Sequence, residues 1–127
     1  MGCGRVGSAL ATRLSSEGHE VTVIDIDADQ FQRLPSTFNG RMLTGSGFDH
    51  RILRLAGIEQ ADAFLAVAHG DNRNVLASQI AKHLFGVEVV VTRLYDPFRA
   101  ELFQRLGLRT FSPTSLGADL AYRSLFG

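Results

Sequence analysis

The sequence predicts an α/β fold, a doubly wound parallel sheet, and three observations predict it. Short apolar, β-branched runs alternate with helix-patterned runs along all 127 residues. The strand-like runs begin near residues 21, 41, 63, 88 and 109, so one βα unit recurs about every 22 residues. A glycine-rich turn, Gly2-Cys3-Gly4-Arg5-Val6-Gly7, opens the chain and leads straight into a helix pattern.

The turn has the spacing of a dinucleotide-binding fingerprint. Its first glycine permits a tight strand-to-helix turn, and its second lets the backbone approach a pyrophosphate. The third lets the helix pack against the sheet, with its free amides facing the phosphates. Asp25, at the end of the next strand-like run, stands eighteen positions after Gly7, where a carboxylate accepts hydrogen bonds from a ribose hydroxyl. The pattern is therefore Rossmann-like, with strand order 3-2-1-4-5-6. Such a turn ordinarily follows an apolar strand of about five residues. Here only Met1 precedes it, so the first strand is expected to be truncated, with Met1 as its last residue.

The remaining elements follow in order. A helix over Arg5 to Glu17 carries Val6, Leu10 and Leu14 on one face and stops at Gly18. Residues 21–26 form a strand, nearly all apolar, as expected of one covered on both faces. A short helix near Asp29 to Leu34 is closed by Pro35, and Arg41 to Thr44 is a short strand ending at Gly45-Ser46-Gly47. Asp49 caps a helix that reaches Ala56 and stops at Gly57. Residues 63–68 form a buried strand. After His69-Gly70, Asp71 caps a helix with Leu76, Ile80 and Leu84 on its expected core face. Val87 to Leu94 is a β-branched strand, and Asp96-Pro97 starts a helix whose stripe of Phe98, Leu102 and Leu106 reads as core. Arg109 to Phe111 is the last strand, and Ser112-Pro113 leads to a helix from Ser115 to Phe126. No linker or low-complexity stretch divides residues 1–127, which read as one domain.

Composition excludes several classes. Net charge is zero, so no bulk field draws nucleic acid or anionic membrane. Twelve of the thirteen basic residues are Arg, scattered rather than clustered. A lone cysteine allows no internal disulfide and fits a reducing cytoplasm. His19, His50, His69 and His83 lack metal-ligand spacing, and no metal site is expected. Cys3, at a helix start, reads as a small filler of the turn in preference to a redox switch. Catalysis has little support, because hydride transfer needs a substrate pocket and a placed proton donor, and His69 has no partner nearby in sequence.

Six pieces together resemble one family over some 110 residues. They are residues 2–11, Val23-Ile24-Asp25, residues 55–63, Ala66-Val67-Ala68 with Asp71 and Asn74, Arg93 before Asp96-Pro97, and Ser112-Pro113. The chain resembles the nucleotide-binding N-terminal domain of the Trk potassium-uptake regulators, also described as the RCK or KTN domain. The resemblance implies a non-enzymatic regulatory subunit that binds a nucleotide and relays its presence to a membrane potassium transporter. It implies phosphate contacts from Gly2, Cys3, Gly4, Arg5, Val6 and the Gly7 turn, and ribose contacts from Asp25. Ala68 and His69 would line the rest of the cleft, and Arg93 would reach the nucleotide from the following strand. NAD(H) is the expected ligand, with ATP or ADP left open; the carboxylate of Asp25 disfavours a 2′-phosphate.

The resemblance further implies a cytoplasmic protein held at the inner face of the membrane, with the last helix crossing to a neighbouring subunit. A homodimer or a larger ring is then expected, with Leu120, Leu125 and Phe126 between subunits. Two departures are visible: Gly45-Ser46-Gly47 replaces a Gly-Asp-Ala, and Ala68 stands where many members carry Thr or Ser. The alternatives are a fragment of a small NAD-dependent oxidoreductase and a stand-alone ligand-binding module.

Overall fold

A computed structural model describes residues 1–127. Gly4 starts helix α1 (Arg5–Ser16), which is followed by strand β1 (Thr22–Asp25). A 3-10 turn (Ala28–Arg33) then leads to β2 (Arg41–Thr44); its cap is the Asp27 side chain, which accepts from the Asp29 amide. Helix α2 (His50–Leu55) is capped in the same way by Asp49. Strand β3 (Ala63–Ala66), helix α3 (Asp71–Gln79), strand β4 (Val89–Arg93), helix α4 (Pro97–Arg105), strand β5 (Arg109–Phe111) and helix α5 (Pro113–Leu125) complete the chain. The predicted order of elements holds throughout, with the last helix beginning two residues earlier than its pattern suggests because Pro113 takes the first turn after the Ser112 cap.

All strand pairs are parallel. β1 lies beside β2 with Ile24 opposite Leu43, and β4 lies between β3 and β5. Residues 1 and 2 join these two ribbons. The Met1 nitrogen donates to the Leu65 carbonyl at 2.9 Å, and the Met1 carbonyl accepts from the Val67 amide at 3.0 Å. On the other side the Gly2 amide donates to the Ile24 carbonyl at 2.7 Å. The sheet therefore reads β2-β1-(Met1-Gly2)-β3-β4-β5, the predicted order with Met1 and Gly2 in the place of the first strand. The core beneath it contains Ile24, Leu53, Ile58, Phe64, Val90 and Leu108.

The helices meet the sheet differently from their apolar stripes. In α3 the buried residues are Asn74, Ala77 and Ser78, followed by Ala81, while Leu76 is exposed and Leu84 is 65% exposed. Small side chains let the helix axis approach the sheet, and the Ser78 and Thr92 hydroxyls share a buried hydrogen bond of 2.6 Å. The helix then widens into a π-turn (Ile80–Leu84), in which the Phe85 amide reaches the Ile80 carbonyl five residues back. In α4, Ala100 is the buried residue. The stripe read as core lies outside, with Phe98 at 74% exposure. α1 likewise buries Gly7, Ser8 and Ala11, leaving Val6, Leu10 and Leu14 half-buried.

Candidate functional site

The three glycines of the opening turn do three different things. Gly2 has φ +100°, and a Cβ there would sit 2.6 Å from the Ala68 Cα, so a glycine is required to bring the turn against the end of β3. A Cβ on Gly7 would collide with the Gly2 carbonyl oxygen, so α1 starts in direct contact with the turn. A Cβ on Gly4 would meet nothing within 4 Å. That space lies at the N-terminus of a 12-residue helix, where the amides of Gly4, Arg5, Val6 and Gly7 have no acceptor in the chain. Four unpaired donors at the positive end of a helix form an anion-receptive surface. The amides of Gly2 and Cys3 are already committed, to Ile24 and to Asp25.

Asp25 ends β1 beside this surface. Its Oδ2 accepts from the Cys3 amide at 2.8 Å and its Oδ1 from the Asp27 amide at 2.9 Å. Both oxygens are held in place, and each keeps a further lone pair for a ligand hydroxyl. The Cys3 side chain is fully buried on the inner side of the turn. Burial pushes its thiol pKa up, and the Asp25 carboxylate pushes it the same way. Cys3 thus fills space, as read from the sequence.

The opposite wall of the cleft is the end of β3, and sequence reasoning did not place its organiser among the site residues. Asn74, wholly buried in the first turn of α3, accepts from the Ala68 amide at 2.9 Å. Its Nδ2 donates to the Ala68 carbonyl at 2.8 Å and to the Arg93 carbonyl at 3.0 Å. The signal was present as Asp71-x-x-Asn74 after a strand. Arg93 is only 7% exposed; its Nη2 donates to the Ala68 carbonyl at 2.8 Å, and its guanidinium lies 4.9 Å from the Tyr95 ring centre. Its Nε is the one buried side-chain polar atom without a partner. Arg93 therefore lies under the cleft wall, while Ala68 is half-buried and His69 is exposed at the mouth.

Arg5 and Val6 project from the first turn of α1, Arg5 exposed. Beyond His69 an open groove of about 660 Å³ runs between the starts of α3 and α4, lined by His69, Asp71, Arg73, Tyr95, Asp96 and Arg99. Asp71 ties that groove together, its carboxylate accepting from the Tyr95 amide at 2.8 Å and the Asp96 amide at 3.3 Å. No three His, Cys, Asp or Glu side chains come together to hold a metal ion. No helix is long and apolar enough to cross a membrane.

The crevice between Met1-Gly2 and β3, at the carboxyl ends of the strands, is the place where open α/β sheets take their ligands. Its features are a helix start with free amides, a fixed carboxylate on one side and a braced strand end on the other. Together they define a Rossmann-like domain. The chain belongs to the TrkA-N domain family, whose model matches residues 1–113.

It is 55% identical over 125 residues to the Trk system potassium uptake protein TrkA of Streptomyces coelicolor, spanning 98% of this chain and 56% of that relative. The chain thus corresponds to about half the length of that protein. Among solved structures, the TrkA-N domain of the inner membrane protein ybaL from Escherichia coli superposes with a TM-score of 0.81 at 20% identity, covering 98% of this chain and 92% of that one. The Shewanella denitrificans Kef CTD in its AMP-bound form gives 0.76 at 21% identity, covering 98% and 76%.

Proposed function

We propose that this chain is the nucleotide-binding part of a cytoplasmic regulator of a Trk-type potassium uptake system. The observation that carries the reading is the opening turn. Gly4 leaves open space in front of four unpaired amides, and Asp25 stands locked beside them with acceptor capacity to spare. A pyrophosphate at the amides and a ribose at Asp25 use both features at once. NAD(H) fits best, with ATP or ADP next, since the carboxylate is unfavourable for a 2′-phosphate. A fold neighbour at 21% identity is described as AMP-bound, and the relative at 55% identity is named as a potassium uptake protein.

The role is regulatory rather than catalytic. What supports this is the naming of the relative at 55% identity as a potassium uptake protein; His69 at the cleft mouth is exposed, with the Tyr95 ring 5.9 Å away. Residues 1–127 act as one nucleotide-binding unit, and a second copy joins through α5, whose Leu120, Leu125 and Phe126 are exposed in the single chain. The partner is the cytoplasmic side of a membrane potassium transporter. Regulation follows from differential affinity: a tenfold preference of the ligand for one dimer geometry supplies about 1.4 kcal/mol per site. Calorimetric titration with NAD⁺, NADH, ATP, ADP and AMP tests the reading, which requires saturable binding of at least one of them.

A further inference from the structure

Helix α5 is attached to the body of the molecule at its base. Pro113 and Ser115 are half-buried, whereas residues 116–127 are all exposed. Its direction therefore depends on the Ser112 knot. Ser112 is buried; its hydroxyl donates to the Tyr95 carbonyl at 3.0 Å and accepts from the Ser115 amide at 3.3 Å, capping the helix. Tyr95 is held from the other side as well. Its amide donates to Asp71, its ring lies 4.9 Å from the Arg93 guanidinium carbon, and the His69 ring meets it edge-on at 5.9 Å. Arg93 in turn donates to the Ala68 carbonyl.

An unbroken series of contacts thus runs from the cleft wall, Ala68-His69, through Arg93 and Tyr95 to the base of the one helix that projects from the domain. The Nε of Arg93, buried within this series, has no hydrogen-bond partner. We propose that Tyr95 is the coupling residue of the site: it transmits occupancy of the cleft to α5 through Ser112. This rests on the nucleotide reading above and names the regulation of that same cleft. Ligand at Ala68-His69 fixes the Arg93–Tyr95 stack, which fixes the carbonyl that Ser112 grips, and α5 loses freedom at its root.

Hydrogen exchange of the α5 amides, residues 117–125, tests this on the intact chain, with and without saturating NADH and, separately, ATP. In the wild type the bound nucleotide slows exchange at least about threefold. Tyr95→Phe keeps the ring and keeps the slowing. Tyr95→Leu keeps the backbone carbonyl and the Ser112 cap, and the ligand-induced slowing disappears although calorimetry still shows nucleotide bound. Slowing undiminished in Tyr95→Leu overturns the coupling role, as does a wild type that binds nucleotide with unchanged α5 exchange. Absence of binding, seen separately by calorimetry, instead removes the nucleotide reading and the coupling with it.

Discussion

The Cys3 amide donates to Oδ2 of Asp25 at 2.8 Å, across 22 residues of sequence. One carboxylate thereby fixes the opening turn and stands ready for a ligand. The consequence is that Asp25→Ala damages the fold as well as the site. It leaves the Cys3 amide, on a buried residue, without an acceptor, at a cost of about 1–3 kcal/mol. Urea unfolding of the wild type and the variant measures this; equal midpoints would mean that the carboxylate serves the ligand alone.

Asn74→Ala is the more severe change. It removes three hydrogen bonds at a fully buried position and strands the Ala68 amide and the Arg93 carbonyl. A loss of about 2–5 kcal/mol is expected, since each buried unsatisfied group costs on the order of 1–3 kcal/mol. Asn74→Asp, which keeps the acceptor for the Ala68 amide but loses both donors, is expected to be destabilised as well. Thermal melts of the three proteins give the comparison.

The order of strands and helices was legible because parallel α/β units write themselves as apolar runs with glycine and proline punctuation. So were the turn and Asp25, whose spacing is dictated by the turn's geometry. The helix faces were legible only in part, Ile80 packing against the core as expected. Leu76, Leu84, Phe98 and Leu106 form stripes at helical spacing, yet the sheet is met by Asn74, Ala77, Ser78, Ala81 and Ala100. Close approach of a helix to a parallel sheet selects small residues, and periodicity counts large ones. Arg93 has surroundings that the sequence does not reveal. The resemblance implies a ligand contact for this residue, and the tertiary structure adds that its guanidinium meets the Ala68 carbonyl and the Tyr95 ring.

Cys3 makes stability depend on alkaline pH. Its folded thiol titrates above the ordinary value of 9.0 because it is buried and faces Asp25. A raised folded pKa means that the native state holds its proton longer than the unfolded chain. The associated stability is complete below about pH 9 and is lost as the pH rises through the folded value. Melting temperatures followed from pH 7 to 10 are expected to fall more steeply for the wild type than for Cys3→Ala. Parallel curves would show that the thiol ionises equally in both states.

Assembly turns on α5. Leu120, Leu125 and Phe126 are exposed in the single chain, which favours burial against a second copy. The intact protein is expected to be at least dimeric at tens of micromolar by light scattering, a usual working range for self-association. Leu120→Glu with Leu125→Glu is expected to yield a folded monomer. A monomeric wild type at that concentration contradicts the proposed dimer.

The most direct test of nucleotide binding at the opening turn is one pair of variants, Gly4→Val and Gly7→Ala, each examined by thermal melting and by calorimetric titration with NADH and ATP. A side chain at position 4 enters open space and one at position 7 strikes the Gly2 carbonyl. Gly4→Val is therefore expected to melt within a few degrees of the wild type, the equivalent of about 1 kcal/mol or less. Its nucleotide affinity falls at least about tenfold, because the side chain occupies the phosphate approach. Gly7→Ala is expected to be grossly destabilised. A Gly4→Val protein that is folded and binds nucleotide as tightly as the wild type would contradict the account.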